Sequence, residues 1–542
     1  RELLLQFIRA PRGTLDAYFA RRGRALVILD ECEGVADPLA ASLARWRAAA
    51  PDLLWLVTSR RPLGLRDERV IPLVGLAPDD ATALLLERAA RALPGWRPSA
   101  SERASLAALA LSLDGMPLAL ELAAARLPTA SPDDLRAQLS ARTLALSGGA
   151  DLPPRHRSLR AAVASSVDAL TEALRADLRA LSALRGPFDL AAAASLTQRP
   201  ADVARAHLAA LAAESLTQRL PDGRQRLFTA VRELAAEGLD DGLRVRHAAY
   251  FAELAERLAG EVQHGDAGAA VAALRGALDD LSAALDASPT SAQRVSLVAG
   301  LDAALMASGG TDALDATLAH TIAAVADDPS SLVRAHALRA RGRYLRGHVT
   351  DAWADVTAAL TVTGADERAR WEARLTGSAT LRSLLRYDEA LAEATAVFDA
   401  ARVAGEAEVA LRARHQMACA MLLRGDDEAA KGVFLEALAA ARATGARRVE
   451  ALCLTNLGVA ALRRGEHEAA ALRFAQGEAA FEAIGDALLA AKLAVHRAHA
   501  RLEAGAAGEA LALLDEAARR ARELRDAEMA AEATLLRARH AG

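Results

Sequence analysis

Two adjacent acids follow a short apolar run near the start of the chain. The run ALVILD occupies residues 25–30, and Glu31 comes directly after Asp30. This has the form of a Walker B strand, in which the first acid holds Mg²⁺, usually through water, and the second orients an attacking water. The pattern predicts Asp30 as a metal and cofactor ligand and Glu31 as a catalytic residue. The alternative is a buried strand that merely ends in acids.

A second apolar run, LLWLVTSR at 53–60, repeats this plan further along the chain. It places Thr58, Ser59 and Arg60 at the end of the next strand, where an arginine could reach a γ-phosphate and report its presence. We therefore predict Thr58 and Arg60 as cofactor-binding residues. The alternative for Arg60 and Arg61 is an ordinary solvated turn.

A third element, DGMPLALELAAARL at 114–127, places Gly115 and Pro117 at the start of a helix. A proline ring can pack on an adenine face, and backbone groups are free at a helix start. This predicts Pro117 as a further cofactor-binding residue. Plain helix initiation, for which proline is favoured, is the alternative.

Regular elements must position these residues. Apolar runs at 25–30, 53–60 and 69–76 alternate with helical stretches such as PLAASLARWRAAA, which predicts a βαβ sheet. Aromatic residues make up only 3% of the sequence, which favours long helices packed through small residues over sheet sandwiches. A chain of 542 residues is too long for one hydrophobic core. The expected fold class is therefore mainly α, with several domains.

The sequence pattern changes at several points along the chain. From Pro78 the apolar spacing is helical, and a Pro221-Asp222-Gly223 turn between two short polar-apolar segments predicts a β-hairpin after several helices. Almost wholly helical sequence follows Arg244. The predicted domains are a partial nucleotide-binding core at 1–76, a helical lid at 77–150, a winged-helix-like domain at 151–245, a helical connector at 246–335 and repeats at 336–542.

The C-terminal part of the chain repeats itself with a period of 38 to 40 residues. The positions that align, and the alanines that follow each of them by five residues, are Gly347, Leu385, Gly425, Gly465 and Gly505, and Ala352, Ala390, Ala430, Ala470 and Ala510. A second marker recurs at Gly364, Gly405, Gly445 and Gly485, and Phe434 and Phe474 follow two of the aligned glycines by nine residues. Glycine permits a tight turn between paired helices and alanine their close approach. We predict a long-helix variant of the tetratricopeptide repeat; a HEAT-like array is the alternative.

Taken together, these stretches resemble the STAND class, the signal-transduction ATPases with numerous domains. Within it they resemble bacterial regulators whose NB-ARC-like module precedes tetratricopeptide repeats. The matching stretches, which extend over essentially the whole chain, are VILDECEGV, LVTSRRPLGL, DGMPLALELAAARL, RHRSLRAAVASSVDAL, the hairpin with LFTAVRELA, and RHAAYFAELAERL. The resemblance implies a partial P-loop α/β core with a helical lid and a winged helix that closes over nucleotide, followed by an α-solenoid. It also implies ATP/ADP and Mg²⁺ as cofactors.

The sequence departs from the family pattern in three places. Glu31-Cys32-Glu33-Gly34 stands where Asn-Cys-Glu-His is common in the family. TAVRELA, which contains Arg232, stands where the family has an ETVREYA-like stretch, so that the resemblance offers Arg232 only as a candidate nucleotide-sensing residue. No GxxxxGK[ST] loop exists, because the only lysines are Lys431 and Lys492. We therefore expect a fragment of a longer protein, which would bind and hydrolyse ATP only with a P-loop supplied from outside these residues.

The leading hypothesis is a cytoplasmic switch that couples nucleotide state to sensing by the repeats and so regulates an output domain, in transcription. Its expected partners are a protein or small-molecule inducer on the repeats, a second copy of itself, and DNA only through a domain outside this chain. A nucleotide-free tetratricopeptide scaffold and a DNA-binding factor that uses the hairpin arginines Arg219, Arg224 and Arg226 are the alternatives.

Composition argues against zinc-binding, disulfide-stabilised and membrane-inserted classes of protein. The three cysteines, Cys32, Cys419 and Cys453, form no CxxC pair, which argues against a zinc site or a disulfide framework. A net charge of -4 gives no general attraction to nucleic acid or anionic lipid. Since no apolar run reaches 18 residues, we expect no membrane insertion.

Overall fold

The computed structural model describes residues 15–30, 32, 35–59, 62–93, 95–142, 159–264, 267–287, 289–306, 312–524 and 527–540. The fold is mainly α, as predicted. Two compact units divide the chain, residues 1–246 and residues 247–542. The sheet residues and the helices that follow them fall in the first unit, and the repeats fall in the second.

The first unit begins with a small sheet covered by helices. Its elements are α1 (Leu15–Ala20), β1 (Ala25–Leu29), α2 (Ala36–Ala49) and β2 (Leu53–Val57). The two strands pair in parallel, from Ala25 opposite Leu53 to Leu29 opposite Val57. Beneath them Trp55 packs against Phe19 and stacks on Trp46, with ring centroids 4.8 and 5.6 Å apart. Both strand predictions are therefore confirmed, and so is their parallel order.

The second face of this sheet is bare in the part of the chain that the structure describes. The side chains that point to it are exposed: Leu26, Ile28, Leu54 and Leu56. The prediction of a third strand at 69–76 is wrong, because that segment is irregular and pairs with no strand among the described residues. Strand pairing depends on a neighbour distant in sequence, which an apolar run by itself cannot supply.

In the described residues after β2, the regular elements of the first unit are helices and one hairpin. Its helices are α3 (Pro78–Ala92), α4 (Ala100–Ser112), α5 (Pro117–Ala124), α6 (Pro132–Arg142), α7 (Leu159–Asp168), α8 (Glu172–Leu181), α9 (Leu190–Thr197), α10 (Ala201–Ala213) and α11 (Thr229–Ala236). Between α10 and α11, β3 (Thr217–Arg219) pairs antiparallel with β4 (Gln225–Leu227). Gly223 has a φ of 87° in the turn between them, which confirms the hairpin read from Pro221-Asp222-Gly223.

Helix α12 (Asp241–His264) leads into the second unit. The helices before the regular repeats are α13 (Ala267–Gly276), α14 (Leu278–Asp286), α15 (Ser291–Met306) and α16 (Asp312–Ala324). The repeats then follow as α17 (Pro329–Leu345), α18 (Val349–Thr361), α19 (Glu367–Ser383), α20 (Tyr387–Ala404), α21 (Ala407–Arg424), α22 (Asp427–Thr444), α23 (Arg447–Arg463), α24 (His467–Ala483), α25 (Ala487–Glu503), α26 (Ala507–Leu524) and α27 (Ala527–His540). This succession of paired antiparallel helices is the predicted solenoid.

The repeat markers lie where the steric argument puts them. The aligned residues from Gly347 to Gly505 all have positive φ angles, between 61° and 102°, and each ends the first helix of a pair. The aligned alanines from Ala352 to Ala510 are fully buried. A third set of small buried residues precedes those alanines by twelve positions: Ala340, Ser378, Ala418, Gly458 and Ala498. A Cβ on Gly458 would lie 2.6 Å from the Phe474 ring, so helices α23 and α24 leave no room for a side chain there.

Leu385 occupies a turn position at which the other repeats use glycine. Its φ is 61°, in the left-handed region, and the residue is 72% exposed. Since a Cβ is strained there and little packing would be lost, we expect Leu385→Gly to stabilise the protein by about 0.5–1 kcal/mol. Urea unfolding measures the difference. Leu385→Ala keeps the strained Cβ and should give no gain, so an equal gain from alanine would contradict the argument.

None of the helices in the described ranges combines the length and apolar character needed to cross a membrane.

Candidate functional site

The carboxyl ends of β1 and β2 bring Asp30 and Thr58 together. The backbone ladder continues past the strands, since Thr58 N–H donates to Leu29 O at 2.9 Å and Cys32 N–H donates to Thr58 O at 3.0 Å. The Thr58 hydroxyl donates a hydrogen bond to the Asp30 carboxylate. Parallel pairing therefore aligns the two residues that the sequence assigned to the ends of successive strands.

This strand edge offers oxygen atoms to a ligand. Asp30 and Thr58 are both exposed, and carboxylate and hydroxyl oxygens are the ligands that Mg²⁺ prefers. Glu31 and Arg60, the predicted catalytic and phosphate-sensing residues, lie outside the described residues. Their roles stay predictions.

Pro117 begins α5, as the sequence indicated, and it is exposed. The turn before it packs against the end of the 69–76 segment, where Leu76 N–H donates to Gly115 O at 2.9 Å. Gly115 has a φ of 62°, and a Cβ there would lie 2.4 Å from Leu76 O. Glycine is therefore required by this close approach, and the approach fixes the start of α5.

Asp114, the residue before Gly115, connects this turn to the hairpin region. Its side chain is 93% buried, and Oδ2 accepts a 2.6 Å hydrogen bond from the backbone N–H of Thr229, the first residue of α11. Its Oδ1 lies 3.5 Å from Nη2 of Arg226 on β4, which forms an ion pair with it. A carboxylate at a helix N-terminus accepts a hydrogen bond from a free backbone N–H, and its negative charge interacts favourably with the helix dipole. Nothing in the sequence marks Asp114 except its place in the DGMP stretch.

Internal partners hold two of the three hairpin arginines. Arg224 donates to Asp222 at 2.8 Å, and Arg226 donates to Gln218 at 3.0 Å in addition to its contact with Asp114. Arg219 is exposed. On α11, Arg232 donates to the carbonyl oxygen of Arg185 at 2.7 Å. These contacts tie the hairpin and α11 to the protein itself, and they weaken the case for an arginine cluster that reads DNA.

The second unit contains a groove with a volume of about 440 Å³, which we call the charged groove. It runs across helices α12, α15, α17, α19 and α21 over small residues such as Ala259, Ala299 and Ala337. Ion pairs cross its walls from helix to helix: Arg334 to Glu256 at 3.2 Å, and Arg412 to both oxygens of Glu372 at 2.6 and 2.8 Å. Four arginines and four carboxylates line it, so that both signs of charge are offered to a ligand.

Another depression, of about 780 Å³, lies between α24, α25 and α26. Its lining is mostly alanine and leucine, including Leu472 and Leu513, with Arg497, Arg501, Glu468 and Glu509 at its sides. The charged groove presents more polar groups to one space, and polar groups of this kind fix the orientation of a bound ligand.

Comparison with known proteins places this fold in a class. A STAND protein with a tetratricopeptide repeat sensor, from Pyrococcus horikoshii, has a crystal structure similar to this one, with a TM-score of 0.50 over 96% of this chain and 72% of that chain. The two sequences are 16% identical, so the likeness establishes the fold alone. The architecture that the sequence motifs implied, a STAND module followed by tetratricopeptide repeats, is confirmed at that level.

Sequence comparison finds relatives in mycobacteria. A protein of Mycobacterium tuberculosis named "Putative HTH-type transcriptional regulator" is 34% identical over 265 residues, which are 46% of this chain and 30% of that protein. An uncharacterized protein of the same species is 35% identical over 170 residues, 31% of this chain and 43% of the relative. The matched part of the chain thus spans less than half the length of these curated relatives. No protein-family model matches the sequence.

Proposed function

We propose that this chain is the switch and sensor part of a cytoplasmic, ATP/ADP-dependent regulator of transcription. Nucleotide with Mg²⁺ would bind at the strand edge, an inducer would bind the repeats, and DNA would be contacted by a domain outside these residues. The observation that carries the proposal is the pair formed by Asp30 and Thr58 at the carboxyl ends of two parallel strands. In open α/β sheets, ligands bind at that edge.

The residues of this chain fit the metal end of such a ligand. Asp30 offers an exposed carboxylate, already oriented by the Thr58 hydroxyl, which could hold the water shell of Mg²⁺. The triphosphate end needs successive backbone N–H groups and a lysine, and the sequence has no such loop and no lysine before Lys431. A phosphate-binding loop supplied from outside these 542 residues is therefore part of the proposal. Among the described residues, the apolar face formed by Leu26, Ile28, Leu54 and Leu56 is exposed, and it is the face on which further strands or helices of such a core would pack.

Asp114 provides a physical link by which nucleotide state could reach the hairpin region. The turn at Gly115 sets the position of Pro117, our candidate for contact with adenine, and the neighbouring Asp114 carboxylate holds the first turn of α11. A shift of this turn on nucleotide exchange would lengthen the 2.6 Å hydrogen bond to Thr229 and release α11. The winged-helix-like part would then act as a moving element of the switch and not as a reader of DNA.

The charged groove is the proposed inducer site. Its walls carry both signs of charge above an alanine-rich floor, so the fitting ligand is one that carries both an anionic and a cationic group, such as a peptide. A ligand of this kind could exchange partners with the Glu372–Arg412 pair without leaving a buried charge unpaired.

Nucleotide binding should depend on sequence beyond this chain. We expect the 542-residue chain to bind MgATP at least about 100-fold more weakly than the protein extended by its upstream sequence, because Asp30 repels triphosphate unless Mg²⁺ and a phosphate cradle are present. In the extended protein, Asp30→Ala should impair Mg²⁺-dependent binding, and Glu31→Gln should slow hydrolysis more than binding. Calorimetry and a phosphate-release assay measure the two effects.

Asp52→Ala is the matched control, since Asp52 directly precedes β2 and so lies at the opposite edge of the sheet. It should leave both measurements unchanged. Micromolar binding by the 542 residues alone would show that the nucleotide site is misplaced. An extended protein that binds no nucleotide would favour the scaffold alternative.

A further inference from the structure

The turn between α24 and α25 touches the start of α13, although helices α14 to α23 lie between them along the chain. The backbone N–H of Gly268 donates to the carbonyl oxygen of Ile484 at 3.0 Å. A Cβ on Gly268 would lie 3.0 Å from Cα and 3.3 Å from the carbonyl oxygen of Gly485, so a larger residue would push the two backbones apart. We call this meeting of Gly268 with Ile484 and Gly485 the 268–485 contact.

Both hydrogen-bonding groups of the 268–485 contact belong to free ends of helices. Gly268 is the second residue of α13, where no carbonyl oxygen of the same helix can accept its N–H. Ile484 is the C-cap residue of α24, and it is fully buried. The positive end of one helix dipole therefore meets the negative end of another, which favours their approach.

The 268–485 contact completes a cycle of packed helices. Starting from α13, each helix packs on the next in the order α15, α17, α19, α21, α23 and α24. The contact then joins α24 back to α13. Within this cycle, α15, α17, α19 and α21 also line the charged groove. The repeats thus close into a ring that includes the helices of the groove.

Helix α12 connects the charged groove to α13. Glu256 on α12 lines the groove, and the residue before it, Ala255, packs on Gly300 of α15. A Cβ on Gly300 would lie 2.7 Å from the Ala255 Cβ and 3.3 Å from Leu274 of α13. Helices α12, α13 and α15 therefore meet with no space between them, and a displacement of α12 at the groove moves α13 as well.

We propose that the 268–485 contact is a latch that holds the ring of repeats closed, and that it opens when a ligand in the charged groove displaces α12. Its regulatory meaning rests on the proposed role of the groove as the inducer site, whereas the latch itself requires neither nucleotide nor inducer. A ligand that takes over the partners of Glu256 releases α12, and α13 follows, so that Gly268 N–H separates from Ile484 O. Occupancy of the groove is thereby converted into a change in the shape of the repeats.

Hydrogen exchange of the full 542-residue chain reports the latch directly, because the Gly268 amide is its donor. First-turn amides have no acceptor within their helix and exchange quickly unless another group protects them. Gly508 is the reference, since it is the second residue of α26 and also follows an alanine, and a Cβ there would meet nothing within 4 Å among the described residues. We expect Gly268 to exchange at least about tenfold more slowly than Gly508, by mass spectrometry with single-amide resolution. Equal rates would overturn the proposal.

A larger side chain at position 268 should open the latch by steric conflict. Nitroxide labels on Ala272→Cys of α13 and Ala483→Cys of α24, both exposed positions, measure the distance across it by double electron–electron resonance, while the three native cysteines are buried. We expect Gly268→Leu to lengthen and broaden this distance, and Gly508→Leu to leave it unchanged. Circular dichroism identifies a variant that fails to fold, in which case Gly268→Ala, whose Cβ would lie 3.0 Å from Gly485 Cα, replaces it. An unchanged distance in the folded variant would contradict the latch.

The link to the charged groove is tested by Glu256→Gln, which imitates a ligand that takes over the partners of Glu256. This carboxylate accepts a hydrogen bond from Ser296 of α15 at 2.5 Å and pairs with Arg334 of α17 at 3.2 Å. We expect the Gly268 amide to exchange about threefold faster in this variant. Glu253→Gln, which removes the same charge from an exposed position one turn earlier on α12, is the control and should change nothing. An equally protected Gly268 amide in Glu256→Gln would overturn the link, whereas a protein that binds no nucleotide would contradict the proposed switch and leave these results unaffected.

Discussion

Replacing Ala470 by glutamate is expected to destabilise the repeat unit by about 4 kcal/mol, because the change buries an unpaired charge. Ala470 is fully buried in α24, in a cluster with Ala461, Phe474 and Phe481. The same pair of helices already meets at Gly458, where no room is left for a Cβ. A longer side chain at position 470 must therefore either separate α23 and α24 or ionise within an apolar contact.

Ala469→Glu provides a matched control, since Ala469 is the preceding residue on the same helix and is exposed. It introduces the same charge and the same helix propensity, and we expect it to change stability by less than about 0.5 kcal/mol. Circular dichroism at 222 nm during thermal or urea unfolding compares the two variants. Equal stability of both would show that the aligned alanines do not mark helix contacts.

Asp355→Asn should cost about 3 kcal/mol, because it leaves the mostly buried Arg339 without its counter-charge and removes one of the two carboxylates that pair with Arg343. The Asp355 side chain is 3% exposed on α18, and it accepts hydrogen bonds from Arg339 at 2.5 and 3.0 Å and from Arg343 at 2.9 Å. Nδ1 of His336 lies 3.3 Å from Oδ1 of Asp355. Asparagine keeps the shape of the side chain and removes its charge, so that the measured loss reports the ion pairs.

The stability difference between wild type and Asp355→Asn should depend on pH. Burial acts to raise the pKa of Asp355, but hydrogen bonds from His336 and Arg339 and the charges of Arg339 and Arg343 outweigh it, and the pKa is lowered. A carboxyl group with a lowered pKa in the folded state stabilises the protein above its unfolded pKa, and this stabilisation is lost as the pH falls through the folded value. The difference between wild type and Asp355→Asn should therefore be full at neutral pH and shrink in acid. Asp351→Asn, an exposed acid on the same helix, should show no comparable loss.

The repeats could be predicted because their signals are local. Glycine at the aligned turns permits a positive φ, and the alanines five residues later mark the contact between paired helices. The third small position, at Ala340, Ser378 and Gly458, escaped notice because alanine is too common in this sequence for one more to stand out. Leu385 shows that the turn geometry persists even where its usual residue is absent.

The candidate site was predicted in part. Asp30 and Thr58 could be placed together because the ends of successive parallel strands must meet at one edge. The strand expected at 69–76 was wrong, since an apolar run does not show whether a partner lies beside it. Asp114 was missed because its hydrogen-bond partner, Thr229, lies 115 residues away along the chain.

The sequence by itself determined the features that depend on neighbours within a few residues: the helices, the turns, the period of the repeats and the acids at strand ends. Only the tertiary structure decided which distant groups meet. It brings Cys419 to Asn456, Asp355 to Arg339, and the backbone N–H of Gly268 to within 3.0 Å of Ile484 O. The reason is that turn sterics and helix periodicity act over one or two turns of chain, whereas these contacts depend on how successive helix pairs rotate and stack.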